Sequence, residues 1–313
     1  MYYIGFDIGG TKCAVSVGEV ACNDIRIVER KEIPTTKNPL ETMDLLDKSV
    51  REYLKNYPIE SAGISCGGPL DSQKGVILCP PNLPGWENFG IVEYVKSNYG
   101  LNARLENDAN ACAVAEWKFG AGVGAKNMIF LTFGTGLGAG LILENKLYSG
   151  TNGNAGEVGH IRLAKNGPVG YGKAGSFEGF CSGGGIARLA EIMGRRRKET
   201  PKCIVAMGGY EKITTKKLAQ AAFAGDGFAK QVFAKSGEML GKGLSVLIDV
   251  LNPERIILGG VFMRSSELLI PSMQNQIIKE ALADCARACE VVPAKLSENI
   301  GDIAAISVAV LEN

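Results

Sequence analysis

Acidic residues and glycine turns are the features of this sequence best suited to chemistry. Asp7 leads from an apolar run into the glycine pair 9–10, and a second apolar run leads into the glycine-rich stretch 134–140. A third glycine pair, 259–260, follows another apolar run. Glycine turns can bind phosphate because backbone N–H groups converge on anionic oxygens only where no Cβ intrudes. Each turn alone is compatible with a tight hairpin, but their combination indicates a nucleotide.

The common single motifs for nucleotide binding do not explain these turns. The sequence contains no G-x-x-x-x-G-K-[ST], and the stretch 134–140 leads into another strand-like run, whereas a Rossmann fingerprint opens a helix. Asp7 and Thr11, beside the first turn, are candidates for contacts with magnesium and phosphate.

The composition is that of a soluble globular protein with more than one domain. Of 313 residues, 46% are hydrophobic and 21% are charged, and this length favours two domains. Lys and Arg (34) nearly balance Asp and Glu (33), so we expect neither nucleic acid nor a membrane as a partner. The basic run 195–198 is compatible with nucleic-acid binding, but a solvated helix end or exposed loop is favoured because no aromatic array lies nearby.

The cysteines and the single histidine raise the question of a metal site. None of the nine cysteines forms a C-x-x-C pair, and the chain is too long to need disulfide staples. No leader pattern opens the sequence and no apolar run is long enough for a bilayer, which together predict reduced thiols in the cytoplasm. His160 is open to three interpretations: a core or loop residue, a catalytic group, or a zinc ligand completed by cysteines.

Apolar periodicity predicts alternating strands and helices, and therefore an α/β protein. Two strand–turn–strand hairpins are predicted, at 2–17 and at 128–143 with its second strand at 141–143. Further strands are predicted at 61–65, 103–106, 255–258 and 291–292, helices at 39–56, 109–119, 186–193, 215–224, 228–251, after 260 through 282 and at 302–311, and loops over 148–185. The linker-like stretch 120–126 predicts a smaller domain, 1–119 with 300–313, and a larger one, 120–299.

Five segments together resemble the ROK family, named for repressors, open reading frames and kinases. They are DIGGTK (7–12), PNLPGW (81–86), ENDAN (106–110), GTGLG (134–138) and GEVGHI (156–161). They occur in the family's order and, with the pair 259–260, cover essentially the whole chain. The resemblance implies an actin-like ATPase (ribonuclease H-like) fold, in which two related α/β domains close around a cleft with ATP and Mg²⁺ on one side and a hexose on the other. It also implies a homodimer or homotetramer.

Within this resemblance, Asp108 matches the family's catalytic aspartate, which accepts the proton of the sugar hydroxyl. The sequence alone favours another role for this segment, since Asn107, Asp108 or Asn110 can cap the Ala-rich helix that follows. Asp7 is expected to hold Mg²⁺ directly or through water. The expected nucleotide-binding residues are Asp7, Gly9, Gly10, Thr11, Lys12, Gly134, Thr135, Gly136, Gly259 and Gly260.

The resemblance also implies a set of sugar-binding residues. They are Gly68, Asn82, Asn107, Glu157, His160 and Glu178. Glu157 and His160 lie in a glycine-dense segment, where a carboxylate and an imidazole can bind a polyhydroxylated ligand. Each glutamate is also compatible with an ordinary surface position, and Gly68 and Asn82 with plain turns.

The sequence departs from the family where a structural zinc is expected. Family members follow the histidine with C-x-C-G-x-x-G-C, but Val169, Tyr171 and Ser176 stand at the three thiolate positions here. Cys181 lies five residues beyond the last of them. We therefore expect no zinc site and interpret His160 as a sugar ligand. Three aromatic residues are expected to pack this loop instead: Tyr171, Phe177 and Phe180.

The expected function is ATP-dependent phosphorylation of a hexose, with glucose to glucose 6-phosphate favoured. Other substrates within the resemblance are N-acetylmannosamine, N-acetylglucosamine, fructose, mannose, allose and β-glucosides. A sugar-responsive repressor is the rival from another class, but it would carry a helix-turn-helix module, and a first strand at Tyr2 leaves no room for one. A sugar-binding or regulatory protein without catalysis stays open because the segment 169–176 is altered.

Overall fold

The structure is a computed structural model that describes residues 1–22, 24–296 and 300–311. The chain divides into two compact units. The first consists of Met1–Lys126, Gly140–Ala155 and Lys295–Asn313, and the second of Asn127–Ala139 and Gly156–Ala294. The domain boundaries proposed from the sequence remain a prediction.

Strands and helices alternate through most of the described residues, which confirms the predicted α/β class. The strands are β1 (Tyr2–Ile8), β2 (Lys12–Ala21), β3 (Asp24–Pro34), β4 (Ile59–Cys66), β5 (Leu70–Asp71), β6 (Val76–Ile77), β7 (Ala103–Asn107), β8 (Met128–Phe133), β9 (Leu137–Leu143), β10 (Lys146–Leu147), β11 (Val169–Gly170), β12 (Lys173–Ala174), β13 (Arg255–Leu258) and β14 (Glu290–Pro293). The helices are α1 (Pro39–Asn56), α2 (Ile91–Tyr99), α3 (Asp108–Phe119), α4 (Phe177–Phe180), α5 (Gly183–Arg195), α6 (Lys202–Ala206), α7 (Thr215–Phe223), α8 (Gly227–Leu251), α9 (Val261–Glu280), α10 (Ala283–Ala288) and α11 (Ile300–Ala309).

The first sheet has the strand order β3-β2-β1-β4-β7. The predicted hairpin is confirmed, since β1 and β2 pair antiparallel with Asp7 opposite Ala14. β4 and β7 continue the sheet parallel to β1, and their register puts Ile8, Cys66 and Asn107 at one level. Because the carboxyl ends of parallel strands meet at one edge of a sheet, the ends of β1 and β7 supply side chains to the same place.

Helices cover both faces of this sheet. On one face, α1 and α2 pack around the buried Trp86 through apolar residues such as Met43 and Val95. On the other face, α3 and α11 pack through small residues such as Ala111 and Ala304. These two buried clusters fix the strand ends that carry Asp7 and Asn107.

The second sheet has the strand order β10-β9-β8-β13-β14. Its strands follow one another along the chain in the same spatial order as those of the first sheet. β9 and β10 pair antiparallel, and β13 pairs parallel with both β8 and β14. The second predicted strand–turn–strand unit is thus present, with one correction. Its second strand begins at Leu137 rather than at residue 141. The glycines at 138 and 140 interrupt the apolar pattern of the sequence, although Leu137 and Ala139, at alternate positions, are buried.

Other elements confirm or correct the sequence prediction. α1 spans the predicted residues, with Asn38 as its N-cap and Pro39 as its first residue. β3 and α2 were missed, and the predicted loop 148–185 contains β11, β12, α4 and the start of α5. Within the described part of the chain, no helix combines the length and the apolar character needed to cross a membrane.

Candidate active site

The first group of predicted site residues surrounds the turn between β1 and β2. In this turn the N–H of Gly9 donates to the carbonyl of Lys12 at 3.1 Å. A Cβ on Gly10 would overlap the backbone oxygen of Asn82, so this close approach requires glycine. Gly10, Thr11 and Lys12 are exposed, so this side of the turn is accessible to a ligand.

Three predicted sugar contacts lie together in the same unit. A Cβ on Gly68 would lie 3.4 Å from Nδ2 of Asn107, and one on Gly67 would lie 3.5 Å from Nδ2 of Asn82. Since Gly67 and Gly68 are neighbours, the structure brings Gly68, Asn82 and Asn107 to one place beside the carboxyl ends of β4 and β7.

Asp108, the predicted base, is the first residue of α3. The N-cap of this helix is Asn107, whose Oδ1 accepts from the N–H of Ala109 at 2.9 Å. The helix is therefore capped without Asp108, although Oδ1 of Asp108 also accepts from Ala109 at 2.8 Å. The side chain of Asp108 is exposed, yet the protein around it desolvates the carboxylate and raises its pKa, while backbone N–H groups of Ala109 and Asp108 oppose that rise.

Asp7, near the end of β1, is surrounded by other carboxylates. Burial, followed by the negative charges of Asp302 and Asp108, raises the pKa of Asp7 to about 6. The first turn of α11 lies against this side chain, since a Cβ on Gly301 would lie 2.5 Å from Oδ2 of Asp7. Asp302 is only 5% exposed, and its Oδ1 has no hydrogen-bond partner among the described residues. A divalent cation at Asp7 would offset this repulsion. Because Mg²⁺ is bound by one or two protein carboxylates together with substrate phosphates and water, Asp7 fits a magnesium site of this kind.

A chain of ion pairs connects this acidic group to the turn. Oδ2 of Asp302 accepts from Nε of Arg30 at 2.8 Å, and Nη2 of Arg30 lies 2.7 Å from Glu32. The other oxygen of Glu32 pairs with Nζ of Lys12. Sequence reasoning missed Arg30 and Asp302. The available signal was a lone carboxylate within the apolar segment 302–311, since buried charges need partners.

The second group of predicted residues surrounds the turn between β8 and β9. Its centre is Glu178, whose Oε2 accepts from the N–H of Leu137 at 3.1 Å. A Cβ on Gly136 would lie 2.8 Å from the same oxygen. The segment that precedes His160 packs here too, since a Cβ on Gly159 would lie 3.3 Å from Cβ of Glu178. Glu178 therefore links the glycine turn to the segment that carries His160.

Two helices begin beside this turn. The N–H of Gly183, at the start of α5, donates to the carbonyl of Gly134 at 2.8 Å. Gly260 precedes α9, and a Cβ there would overlap the carbonyl of Phe133. Helix N-termini favour anions, which agrees with a phosphate site. The structure thus brings together the predicted residues Gly134, Thr135, Gly136, Gly259 and Gly260.

Glu157 and His160 lie at the two ends of a single helical turn, Val158–His160, and both side chains are exposed. The carbonyl of His160 accepts from Nζ of Lys173 at 2.8 Å. The prediction for the neighbouring aromatic residues is wrong for Tyr171, which is 82% exposed, because it occupies the tip of the β11–β12 hairpin. Phe177 and Phe180 are buried as expected.

The segment 169–176, where the expected cysteines are missing, forms a hairpin and a helix cap. β11 pairs with β12, and Oγ of Ser176 accepts from the N–H of Gly179 at 3.1 Å at the start of α4. The thiol of Cys181 is buried and donates to the carbonyl of Ser236 at 3.5 Å, and burial raises the pKa of this thiol. Over residues 1–22, 24–296 and 300–311, no three His, Cys, Asp or Glu side chains are grouped to hold a metal ion. The lack of a zinc site remains a prediction.

Comparison with known proteins gives relatives over the whole chain. The family model described as the ROK family matches residues 3–310. A glucokinase from Streptomyces coelicolor is 31% identical over 310 residues, which are 98% of this chain and 96% of that enzyme. A xylose repressor from Bacillus subtilis is 25% identical over 305 residues, 95% of this chain and 74% of the repressor. Among solved structures, a ROK family glucokinase from Streptomyces griseus in complex with glucose and AMPPNP is 30% identical, with a TM-score of 0.78 and 99% of each chain covered.

Two sheets with the same strand order, each carrying a glycine turn, define an actin-like ATPase fold, which is the fold of solved ROK sugar kinases. The chain belongs to the ROK family. Both conclusions confirm what the five sequence segments predict.

Proposed function

We propose that this protein is an ATP-dependent hexose kinase that transfers the γ-phosphoryl group of ATP to a sugar hydroxyl, with glucose to glucose 6-phosphate as the favoured reaction. The observation that carries the proposal is Asp108, an exposed carboxylate beside Asn107 at the carboxyl edge of the first sheet. Whole-length similarity to glucokinases supports it.

Transfer to a hydroxyl requires positioning, neutralisation of phosphate charge and a group that accepts the hydroxyl proton. Asp108 accepts this proton while the sugar oxygen attacks the γ-phosphorus and ADP leaves. The pKa of Asp108 is raised towards neutral pH, which suits a general base. Asn107, whose Oδ1 caps α3, presents Nδ2 to the sugar.

The remaining hydroxyl groups of the hexose are bound by side chains of complementary chemistry. Glu157 and Glu178 accept hydrogen bonds, and His160 donates or accepts. Oε2 of Glu178 accepts from Leu137, and its Oε1 is available to the sugar. Gly68 and Asn82 complete the sugar site beside Asn107.

The nucleotide phosphates bind to the backbone of the glycine turns, with Thr11 and Lys12 as side-chain contacts. Mg²⁺, when bound, neutralises charge on the phosphoryl group that is transferred. Asp7 would hold this ion directly or through water, with the charge of Asp302 nearby and Arg30 paired with Asp302.

A coupled assay of ADP release over a panel of hexoses tests the function. Turnover, with the highest kcat/KM for glucose, is the expected result. A higher kcat/KM for mannose, fructose, allose, an N-acetylhexosamine or a β-glucoside would support the kinase function but identify a substrate other than glucose. Sugar binding without any turnover would reject the kinase in favour of a regulatory or sugar-binding protein. Assembly as a homodimer or homotetramer belongs to the same proposal and is tested by light scattering.

A further inference from the structure

The β11–β12 hairpin presents an aromatic side chain next to His160. Tyr171 and Gly172 form its two-residue turn. The ring centroids of Tyr171 and His160 lie 6.3 Å apart, and the ring planes make an angle of 76°. Nζ of Lys173 donates to the carbonyl of His160, and Nη1 of Arg162 donates to the carbonyl of Ala174, each at 2.8 Å. The hairpin is therefore fastened to the segment that carries His160.

Neither the backbone nor the burial of Tyr171 favours a tyrosine at this position. The φ angles of Tyr171 and Gly172 are +43° and +76°, the pattern of a type I′ turn, in which Asn-Gly is preferred and a bulky first residue is strained. The side chain is 82% exposed, so it contributes little to the buried core. Folding alone does not account for an aromatic residue here, whereas a ligand contact does.

We infer that Tyr171 is a sugar-binding residue, whose ring packs against the C–H face of the hexose that His160 binds. This inference rests on the proposed function. A pyranose carries hydroxyl groups around its rim and C–H groups on its faces. Two rings set nearly at right angles can contact both, with His160 at the rim and Tyr171 on a face. Tyrosine supplies such a contact at small cost in side-chain entropy.

Substitutions of Tyr171 separate this role from a structural one. Tyr171→Asn removes the ring and suits the turn, so we expect the KM for hexose to rise about threefold to tenfold. The KM for ATP should stay unchanged, and the Tm should stay equal or rise because the strain is relieved. Tyr171→Phe keeps the ring and should behave like the wild type. Phe223→Ala, which removes another exposed aromatic residue, is the matched control and should change neither KM.

A direct binding measurement completes the test. In Tyr171→Trp the indole emission should change as glucose is added without ATP. An unchanged hexose KM in Tyr171→Asn overturns the inference, and so does a lower Tm, which would make the ring structural. A smaller assembly mass with an unchanged KM would make it a subunit contact instead. If the wild type phosphorylates no hexose, the proposed function fails, and the glucose titration of Tyr171→Trp still decides the role of position 171.

Discussion

The carboxylate of Glu178 accepts a hydrogen bond from the backbone N–H of Leu137 at 3.1 Å. This contact joins a predicted sugar ligand to the predicted phosphate turn. Glu178 also lies in the first turn of α4, which Ser176 caps, so the helix and the glycine turn both fix its position. The orientation of its second carboxylate oxygen therefore depends on the conformation of the turn.

Glu178→Ala should raise the KM for hexose about tenfold to a hundredfold, since hydrogen bonds to a charged group contribute about 1.5–3 kcal/mol. Glu178→Gln keeps an oxygen that can accept from Leu137, so its effect on KM should be smaller. Steady-state kinetics with hexose and ATP varied separately give both values. Equal KM values for the Ala and Gln variants would show that the link to the turn has no role in sugar binding.

Asp108→Asn should lower kcat about 10²–10⁴-fold, the usual contribution of a positioned general base. The structure makes this a clean substitution, because Asn107 caps α3 and the new side chain is nearly isosteric. Sugar affinity, measured by calorimetry, and Tm should remain close to those of the wild type. A variant that kept near-normal kcat would exclude Asp108 as the base.

Asp7→Asn should stabilise the protein at pH 8 and lose that advantage in acid. Asp7 has a pKa of about 6 in the folded state against 3.8 as its ordinary value, so its ionisation is harder in the folded chain. Below pH 4 Asp7 is protonated in both the folded and the unfolded chain, and the folded state has its full stability. As the pH rises through 6, Asp7 ionises in the folded chain as well, and that stability is lost. The loss of unfolding free energy at pH 8 has an upper limit of about 3 kcal/mol. Water still reaches the carboxylate, so the loss is smaller than this limit.

Urea unfolding of Asp7→Asn and wild type at pH 5, 6, 7 and 8 measures this effect. The difference in unfolding free energy between the two should grow with pH and level off above pH 7. Kinase activity of the variant should be low at every pH, because the amide is a poor ligand for Mg²⁺. A difference that does not vary with pH would contradict the repulsion at Asp7.

The sequence predicts the elements better than it predicts the contacts between them. Apolar patterning finds α1, which has one buried face, and β13, whose residues Ile256 to Leu258 are all buried, but it misses β3, whose charged residues face outward at a sheet edge. The motifs place Asp7 and Asp108 correctly on a strand end and a helix start. Asp302 lies far along the chain from Arg30, and only the folded sheet brings them to 2.8 Å. The exposure of Tyr171 depends likewise on a hairpin too short to leave a periodic signal.

Purified protein should contain no stoichiometric zinc, and EDTA should leave its Tm unchanged. Ser176 is committed to capping α4 and the Cys181 thiol is buried against Ser236, so neither side chain is arranged as a zinc ligand. Elemental analysis by mass spectrometry after dialysis is the measurement. One zinc per chain would show that another ligand set replaces the missing cysteines.

Glu116→Ala should destabilise the first unit more than any surface substitution does. Glu116 is completely buried, and its two oxygens accept from the N–H groups of Ala121, Lys295 and Leu296 at 2.7–2.9 Å. Both partner segments lie close to points where the chain passes from one unit to the other. Alanine would remove the carboxylate that these three hydrogen bonds share, at a cost of about 3 kcal/mol or more in unfolding free energy. Glu116→Gln retains one acceptor oxygen, so urea unfolding should place it between Ala and wild type, and equal stability of all three proteins would show that the carboxylate does not hold these segments.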